Sequence, residues 1–323
     1  MRQVGALLLN NTVNNFKAGN LRNYHNLWSK YTRDPWVLNQ VQGIKIPLTG
    51  STFDKNSLFP IRFDTDESDI MDKEIEKLIG KGVIHAVQHE EGEVISNIFL
   101  KPKKNGDYRM VLDLSRLNKV VEYEHFKMTS LKTALELMRE GAWLASVDLR
   151  DAYYTVNMVQ EDRKLLRFAW RDSLYEYTAL PNGLACAPRF FTKMLIPIYS
   201  TLRKRGNECF FYIDDSFVIA DSKEKCKQSV QELAQTLDSL GFTVHKDKSV
   251  LEPTQNLDFL GFTLDSVEMT VRLTQDKLDK FHKTAWGVLL KPKSSIREIA
   301  GLIGLMVSCT RLEWIMEGHI LRP

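Results

Sequence analysis

An α+β fold with antiparallel sheets is what this sequence predicts, on three observations. Runs rich in aromatic and β-branched residues come in pairs around short polar turns, as hairpin strands do: Val94–Leu100 with Tyr108–Leu114, Phe168–Trp170 with Tyr175–Thr178, and Phe210–Ile213 with Ser216–Ala220. Between them, apolar residues recur at helical spacing, as in Met71, Ile75, Leu78 and Ile79, or Cys226, Val230, Leu233, Leu237 and Leu240. The chain has 323 residues, 43% hydrophobic and 26% charged, so it has the means to bury one large core or two to three subdomains.

Charge narrows the partners. Lysine and arginine total 44 against 41 acids, a net of +3, which excludes a uniformly basic coat for nucleic acid. Attraction to phosphate must then come from clusters, of which three stand out: Lys101, Lys103, Lys104 and Arg109; Arg163, Lys164, Arg167 and Arg171; and Arg203, Lys204 and Arg205. Four cysteines without C-x-x-C spacing exclude a zinc or disulfide framework and imply reduced thiols. The Gly5–Leu9 run is too short for a signal-peptide core, and no apolar run is long enough to span a bilayer. An intracellular protein, nuclear or cytoplasmic, with no membrane partner is expected.

Residues 1–45 form a polar, aromatic opening with Trp28 and Trp36-Val37-Leu38. From Asp64 an acidic entry leads into an amphipathic helix that Gly80 or Gly82 ends. Asn105-Gly106 then sits between two strand-like runs, a strong hairpin signal. That hairpin bears Lys103, Lys104 and Arg109, cations suited to a nucleotide's phosphates. Ser130 opens a short helix that closes before Gly141, and the next strand, from Trp143, ends in Asp148. After it the chain turns at Arg150-Asp151-Ala152, where backbone N–H groups suit phosphate oxygens. Pro181 and Gly183 mark a change of direction before a helix that starts near Pro188. Ser222 caps the helix that ends at Gly241. Ser295 and Glu298 form a capping box for a last helix with Ile296, Ile299, Ala300, Ile303 and Met306 along its face.

The chemistry centres on Asp214-Asp215, held in a turn between two apolar runs. An Asp-Asp pair alone is most often a solvated turn. Side chains alternate along a strand, so the two acids need not face one site, and a second source of carboxylate is expected. Asp148 supplies it: if its strand neighbours the Asp214 hairpin, Asp148 and Asp214 converge with Asp215 close by. Three hard oxygen donors with open positions suit Mg²⁺ and two-metal transfer at phosphorus, with ions about 3.5 to 4 Å apart.

Asp148-Leu149-Arg150-Asp151-Ala152-Tyr153, then Leu180-Pro181-Asn182-Gly183, then Tyr212-Ile213-Asp214-Asp215 stand in the order and at the spacings of the reverse transcriptase motifs. The chain resembles that family from about Ala18 to Arg322, and is most similar to the reverse transcriptases of DIRS-type tyrosine-recombinase retrotransposons. The resemblance implies a right-hand polymerase of fingers, palm and shortened thumb, with an antiparallel palm sheet bearing the catalytic carboxylates. It implies a leader over 1–45, fingers over 46–122 and 156–186, palm over 123–155 and 187–268, and a thumb-like helical segment over 269–323. The implied activity is transfer of deoxynucleotides from dNTPs to a primer 3′-hydroxyl on an RNA or DNA template.

The roles follow residue by residue. Asp148, Asp214 and Asp215, with the backbone of Leu149, are the implied ligands of two Mg²⁺ ions, Mn²⁺ serving as a substitute. Arg109 binds triphosphate, and Lys103 and Lys104 both remain candidates for its partner lysine. Asp151, Ala152, Tyr153 and Asn182 line the nucleotide, Tyr153 as the gate against a ribose 2′-hydroxyl. Lys248, with Lys246 second, is the lysine that protonates pyrophosphate. Leu260 and Gly261 form the primer grip. RNase H and recombinase regions are implied partners that this sequence does not contain. Two rival readings use the same residues: a catalytically inactive, retroelement-derived nucleic-acid-binding protein, and a two-metal nuclease that needs no triphosphate contacts.

Overall fold

The computed structural model describes residues 16–50, 61–103 and 106–319. Lys104 and Asn105 of the first hairpin's turn lie outside them. The chain divides into two compact units, one of Met1–Met128, Asp148–Leu202 and Leu233–His245, the other of Thr129–Val147, Arg203–Glu232 and Lys246–Pro323. In chain order the elements used below are α1 (Pro35–Gln42), α2 (Thr65–Gly80), β1 (Ile84–Val87), β2 (Ile98–Pro102), β3 (Tyr108–Leu112), α3 (Leu131–Leu137), β4 (Trp143–Asp148), β5 (Arg167–Trp170) and β6 (Ser173–Tyr177). They continue with α4 (Ala187–Lys204), β7 (Glu208–Tyr212), β8 (Asp215–Ala220), α5 (Lys223–Ser239), β9 (Val250–Thr254), β10 (Asn256–Phe259), β11 (Phe262–Asp265), β12 (Thr270–Leu273), α6 (Gln275–Leu289) and α7 (Ile296–His319).

In the first unit, α2 starts where the acidic entry predicts it. Asp64 accepts the Glu67 N–H at 2.8 Å and Glu67 accepts the Asp64 N–H in return, which satisfies two of the donors a helix start leaves over. The helix buries Met71, Ile75 and Leu78. Strands β2 and β3 pair as an antiparallel hairpin, and β1, β6 and β5 form an antiparallel sheet in that order. Helix α4 buries Phe190, Phe191, Met194, Leu195, Ile198, Tyr199 and Leu202. The opening segment belongs to this core: Leu21 and Trp28 are fully buried, and the Trp28 Nε1–H donates to the Leu240 carbonyl at 3.1 Å. A side chain at Gly241, whose φ is +96°, would meet the Tyr24 ring at 2.6 Å, so this glycine is required by both conformation and space.

The second unit is built on a four-stranded sheet in the order β7-β8-β4-β9. Phe210, Phe217 and Phe259 pack against one another with ring centroids 5.2 to 5.8 Å apart, inside a core that includes Leu144, Ile219, Leu257 and Leu264. Strands β10, β11 and β12 make a smaller antiparallel sheet.

Two expectations need correcting. The second basic cluster is structural. Arg167 is 4% exposed and held by Glu176 and Glu93, as a buried guanidinium must spend its donors on nearby acceptors, the half-buried Arg163 donates to Met158 and Asn157, and the exposed Arg171 pairs with Asp72. The third cluster is partly so: Arg203 donates to the Cys209 carbonyl and Arg205 pairs with Glu232. The apolar face read along α7 is exposed, with Ile296 88% and Ile303 54% exposed, while Leu302, Leu305 and Ser308 are half-buried. The capping box at its start is present, Ser295 and Glu298 bonding reciprocally. Cys186, Cys209 and Cys226 are buried and unpaired, and burial pushes their thiols up to about 11, 12 and 12. Among the described residues no helix is long and apolar enough to cross a membrane.

Candidate active site

The site begins with the β7–β8 hairpin. Tyr212 pairs with Asp215, so Ile213 and Asp214 alone make the turn. Ile213 takes φ +57°, a left-handed conformation that a β-branched residue adopts only at a cost of order 1–3 kcal/mol. The strands beneath it supply the constraint: Phe210, Phe217, Val218 and Ile219 are buried, and slipping the register by one residue would turn that set outward. The sequence marks the turn but gives no sign of this strain.

Burial raises the Asp214 carboxyl above the ordinary carboxylate range, against its own backbone N–H and the nearby Lys248 ammonium, which both lower it. Of the predicted residues, Lys248 is thus within electrostatic reach of Asp214. Asp215 is the first residue of β8 and Asp148 the last of β4, and these strands are neighbours. Their relative direction follows from what surrounds the start of β4. Arg139, just ahead of β4, bonds Glu208 at the start of β7 and Asp221 just past the end of β8, and the Lys223 ammonium lies 5.4 Å over the Trp143 ring. Strand β4 thus starts where β8 finishes and runs against it. Both strands have six residues, so Asp148 stands at the end of the sheet where β8 begins. The Asp148 carbonyl accepts the His245 N–H at 2.8 Å, and Leu149 bridges Val244, which fixes the chain as it leaves β4.

Among the described residues no three His, Cys, Asp or Glu side chains gather closely enough to hold an ion by themselves. The expected cluster of three carboxylates is thus not closed by side chains alone, in keeping with the alternation of Asp214 and Asp215 along the backbone. The donor set still fits Mg²⁺, which is held by one or two carboxylates with waters and substrate phosphates completing its shell.

In the first unit a second group of predicted residues assembles around the turn after β4. Asp151 takes φ +50° and opens a 3₁₀ turn over Ala152–Thr155. Tyr153 packs edge-on against Phe191 with centroids 5.2 Å apart. The Tyr154 hydroxyl, pushed up by burial, hydrogen-bonds Asn182 and Tyr177, so Asn182 is tied to the turn that carries Tyr153. Asn118 clamps the Asn182 loop from the other side, donating to the Gly183 carbonyl and accepting from the Ala185 N–H, each at 2.8 Å. No local pattern in the sequence marks Asn118 for this role. The same holds for Lys81, whose ammonium lies 2.5 Å from the Asp151 carboxylate.

On the β2–β3 hairpin, Arg109 is exposed and sits directly opposite Lys101. Like charges face to face cost stability unless an anion lies between or above them. Lys103 is half-buried beside the turn, its N–H donating to the Asp107 carbonyl. Leu260 and Gly261 form the two-residue turn between β10 and β11, with φ +50° and +80°. A side chain at Gly261 would meet the Lys277 stem at 3.3 Å, and the Lys277 ammonium lies 3.9 Å over the Phe262 ring, so this turn is braced by α6.

Residues 101–264 match the model of the reverse transcriptase (RNA-dependent DNA polymerase) family. The chain belongs to that family. It is 27% identical over 182 residues to the "Retrovirus-related Pol polyprotein from transposon opus" of Drosophila melanogaster, covering 55% of this chain and 18% of that one. It is 30% identical over 160 residues to the "Gag-Pol polyprotein" of gibbon ape leukemia virus, covering 47% and 9%. The chain spans less than a fifth of the length of these curated relatives. Among solved structures it is similar to a foamy viral protease-reverse transcriptase in complex with double-stranded DNA, at a TM-score of 0.66 and 18% identity over 89% of this chain and 52% of that one. The same viral protein in complex with an RNA/DNA hybrid gives 0.64 and 19%, over 93% and 39%. The fold is that of a right-hand polymerase, its palm sheet antiparallel as expected.

Proposed function

We propose that this reverse transcriptase domain is the polymerase core of a retroelement. It extends a DNA primer on an RNA or DNA template, using deoxynucleoside triphosphates. The observation that carries the reading is that β4 delivers Asp148 to the end of the sheet where the Ile213–Asp214 turn opens β8. Asp148, Asp214 and the Leu149 carbonyl would hold two Mg²⁺ ions, with Asp215 in support and Mn²⁺ able to use the same oxygens. Bound there, such ions lower the pKa of the attacking hydroxyl and neutralise charge on the departing pyrophosphate.

The chain's own residues position the substrates. Arg109 grips phosphate with its planar fork, and Lys103 or Lys104 adds a point charge. The backbone at Asp151 and Ala152 faces phosphate. Tyr153, backed by Phe191, is the wall that leaves no volume for a ribose 2′-oxygen, and Asn182 lies beside sugar and base. Lys248 is the proton donor to pyrophosphate, a role supported by its reach to Asp214. The Leu260–Gly261 turn supports the primer backbone. Because such catalysis is chiefly positioning and charge neutralisation, the loss of one carboxylate removes most of it.

Kinship with DIRS-type elements, and the division into leader 1–45, fingers 46–122 and 156–186, palm 123–155 and 187–268, and thumb 269–323, belong to the same reading. The test is extension of one DNA primer on matched RNA and DNA templates with Mg²⁺, beside Asp214→Asn. Mg²⁺-dependent extension by the natural chain alone supports the reading. Salt-dependent binding with no extension on either template replaces it with an inactive nucleic-acid binder.

A further inference from the structure

Asp151 presents a physical contradiction on the reading just given. Its backbone faces a triphosphate, yet its side chain is a carboxylate, and two anions a few ångströms apart repel. The structure turns that carboxylate elsewhere. The Lys81 ammonium, at the end of α2, lies 2.5 Å from Asp151 Oδ2, and the two side chains are only 18% and 23% exposed. Arg150 Nε stands farther away, at 3.9 Å.

Lys81 is itself held. It caps the C-terminal end of α2, where the helix carbonyls favour a cation, and its ammonium lies 5.7 Å over the Phe16 ring. The leader binds on both sides of the pair: the Ala18 N–H donates to the Lys81 carbonyl at 3.0 Å, and the Gly19 N–H to the Tyr154 carbonyl at 2.8 Å. The φ +50° of Asp151 starts the 3₁₀ turn that sets Tyr153 against Phe191.

We infer that Lys81 is a positioning residue of the nucleotide site: it neutralises Asp151 and draws its carboxylate away from the triphosphate. In doing so it holds the left-handed backbone that aims Tyr153. This rests on the polymerase reading for its substrate but on the ion pair for its mechanism. A partly shielded pair that loses its cation leaves an uncompensated charge, whereas a pair that loses both charges does not.

The experiment compares Lys81→Ala, Lys81→Arg and the double variant Lys81→Ala with Asp151→Asn in primer extension. Asparagine also tolerates the left-handed region. Expected is a rise of roughly tenfold in KM for dNTP in Lys81→Ala with kcat little changed, recovery in Lys81→Arg, and recovery in the double variant because the charge that needed a partner is gone. Discrimination against ribonucleotides falls and recovers in step. An unchanged KM in Lys81→Ala, or a double variant as impaired as the single one, overturns the inference. A natural chain that does not extend primers overturns the polymerase reading instead. Amide exchange over residues 151–155 then still reports on the loop: faster in Lys81→Ala and restored in the double variant if Lys81 holds it through charge, equally fast in both if it does not.

Discussion

Strands β7 and β8 meet in a two-residue turn above the buried Phe210, Phe217 and Phe259, whereas β2 and β3 set Lys101 and Arg109 facing each other across the ladder. The first hairpin holds a β-branched residue at φ +57°, and the second places a glycine, Gly106, at φ +86°. A turn that must keep a carboxylate at a fixed point is worth straining, because buried strands on either side over-determine it. A hairpin proposed to meet a substrate needs little core, and Phe99 and Tyr108 are 37% and 38% exposed. Burial sits where acids are proposed to hold ions, and exposure where basic residues are proposed to meet phosphate.

The largest effect expected on this contrast is at the rigid turn. Asp214→Asn keeps the shape of the side chain and removes its charge, so primer extension falls by about 10³-fold or more while the melting temperature hardly moves. Asp148→Asn behaves alike if the two acids act as a unit. Retention of a tenth of the natural rate in either variant would break the link between this sheet edge and catalysis.

Stability divides the hairpins next. Phe217 is fully buried, and Phe217→Ala costs about 3–5 kcal/mol in urea unfolding. Phe99→Ala on the exposed hairpin costs under about 1 kcal/mol. Equal losses would show that the β2–β3 arm carries a core of its own. Arg109→Ala comes third: KM for dNTP rises by roughly 10- to 100-fold with a smaller change in kcat, and Arg109→Lys recovers only part, since an ammonium cannot fork.

How far these differences were legible follows from their physics. The hairpins, the capping box at Asp64 and the burial stripe of α5 depend on local patterning, which the sequence displays residue by residue. The partners of Arg167, Arg163 and Arg171 do not: whether a basic cluster faces solvent or a buried glutamate depends on which strand the fold lays beside it. Lys81 and Asp151 are 70 residues apart and have no shared motif, so nothing short of the fold brings them together. The exposed stripe of α7 shows the converse limit, since helical periodicity marks an apolar face without saying what covers it.

The smallest effect is at Ile213. At φ +57° this residue carries backbone strain of order 1 kcal/mol or more, yet it is half-buried and gives back some apolar contact. Ile213→Asn relieves the strain and loses the contact, so the net change in unfolding free energy stays within about 1 kcal/mol, toward greater stability. If Ile213→Asn instead costs 2 kcal/mol or more, side-chain packing and not the strands below holds the turn. In that case the strain argument that separates this hairpin from the β2–β3 arm fails.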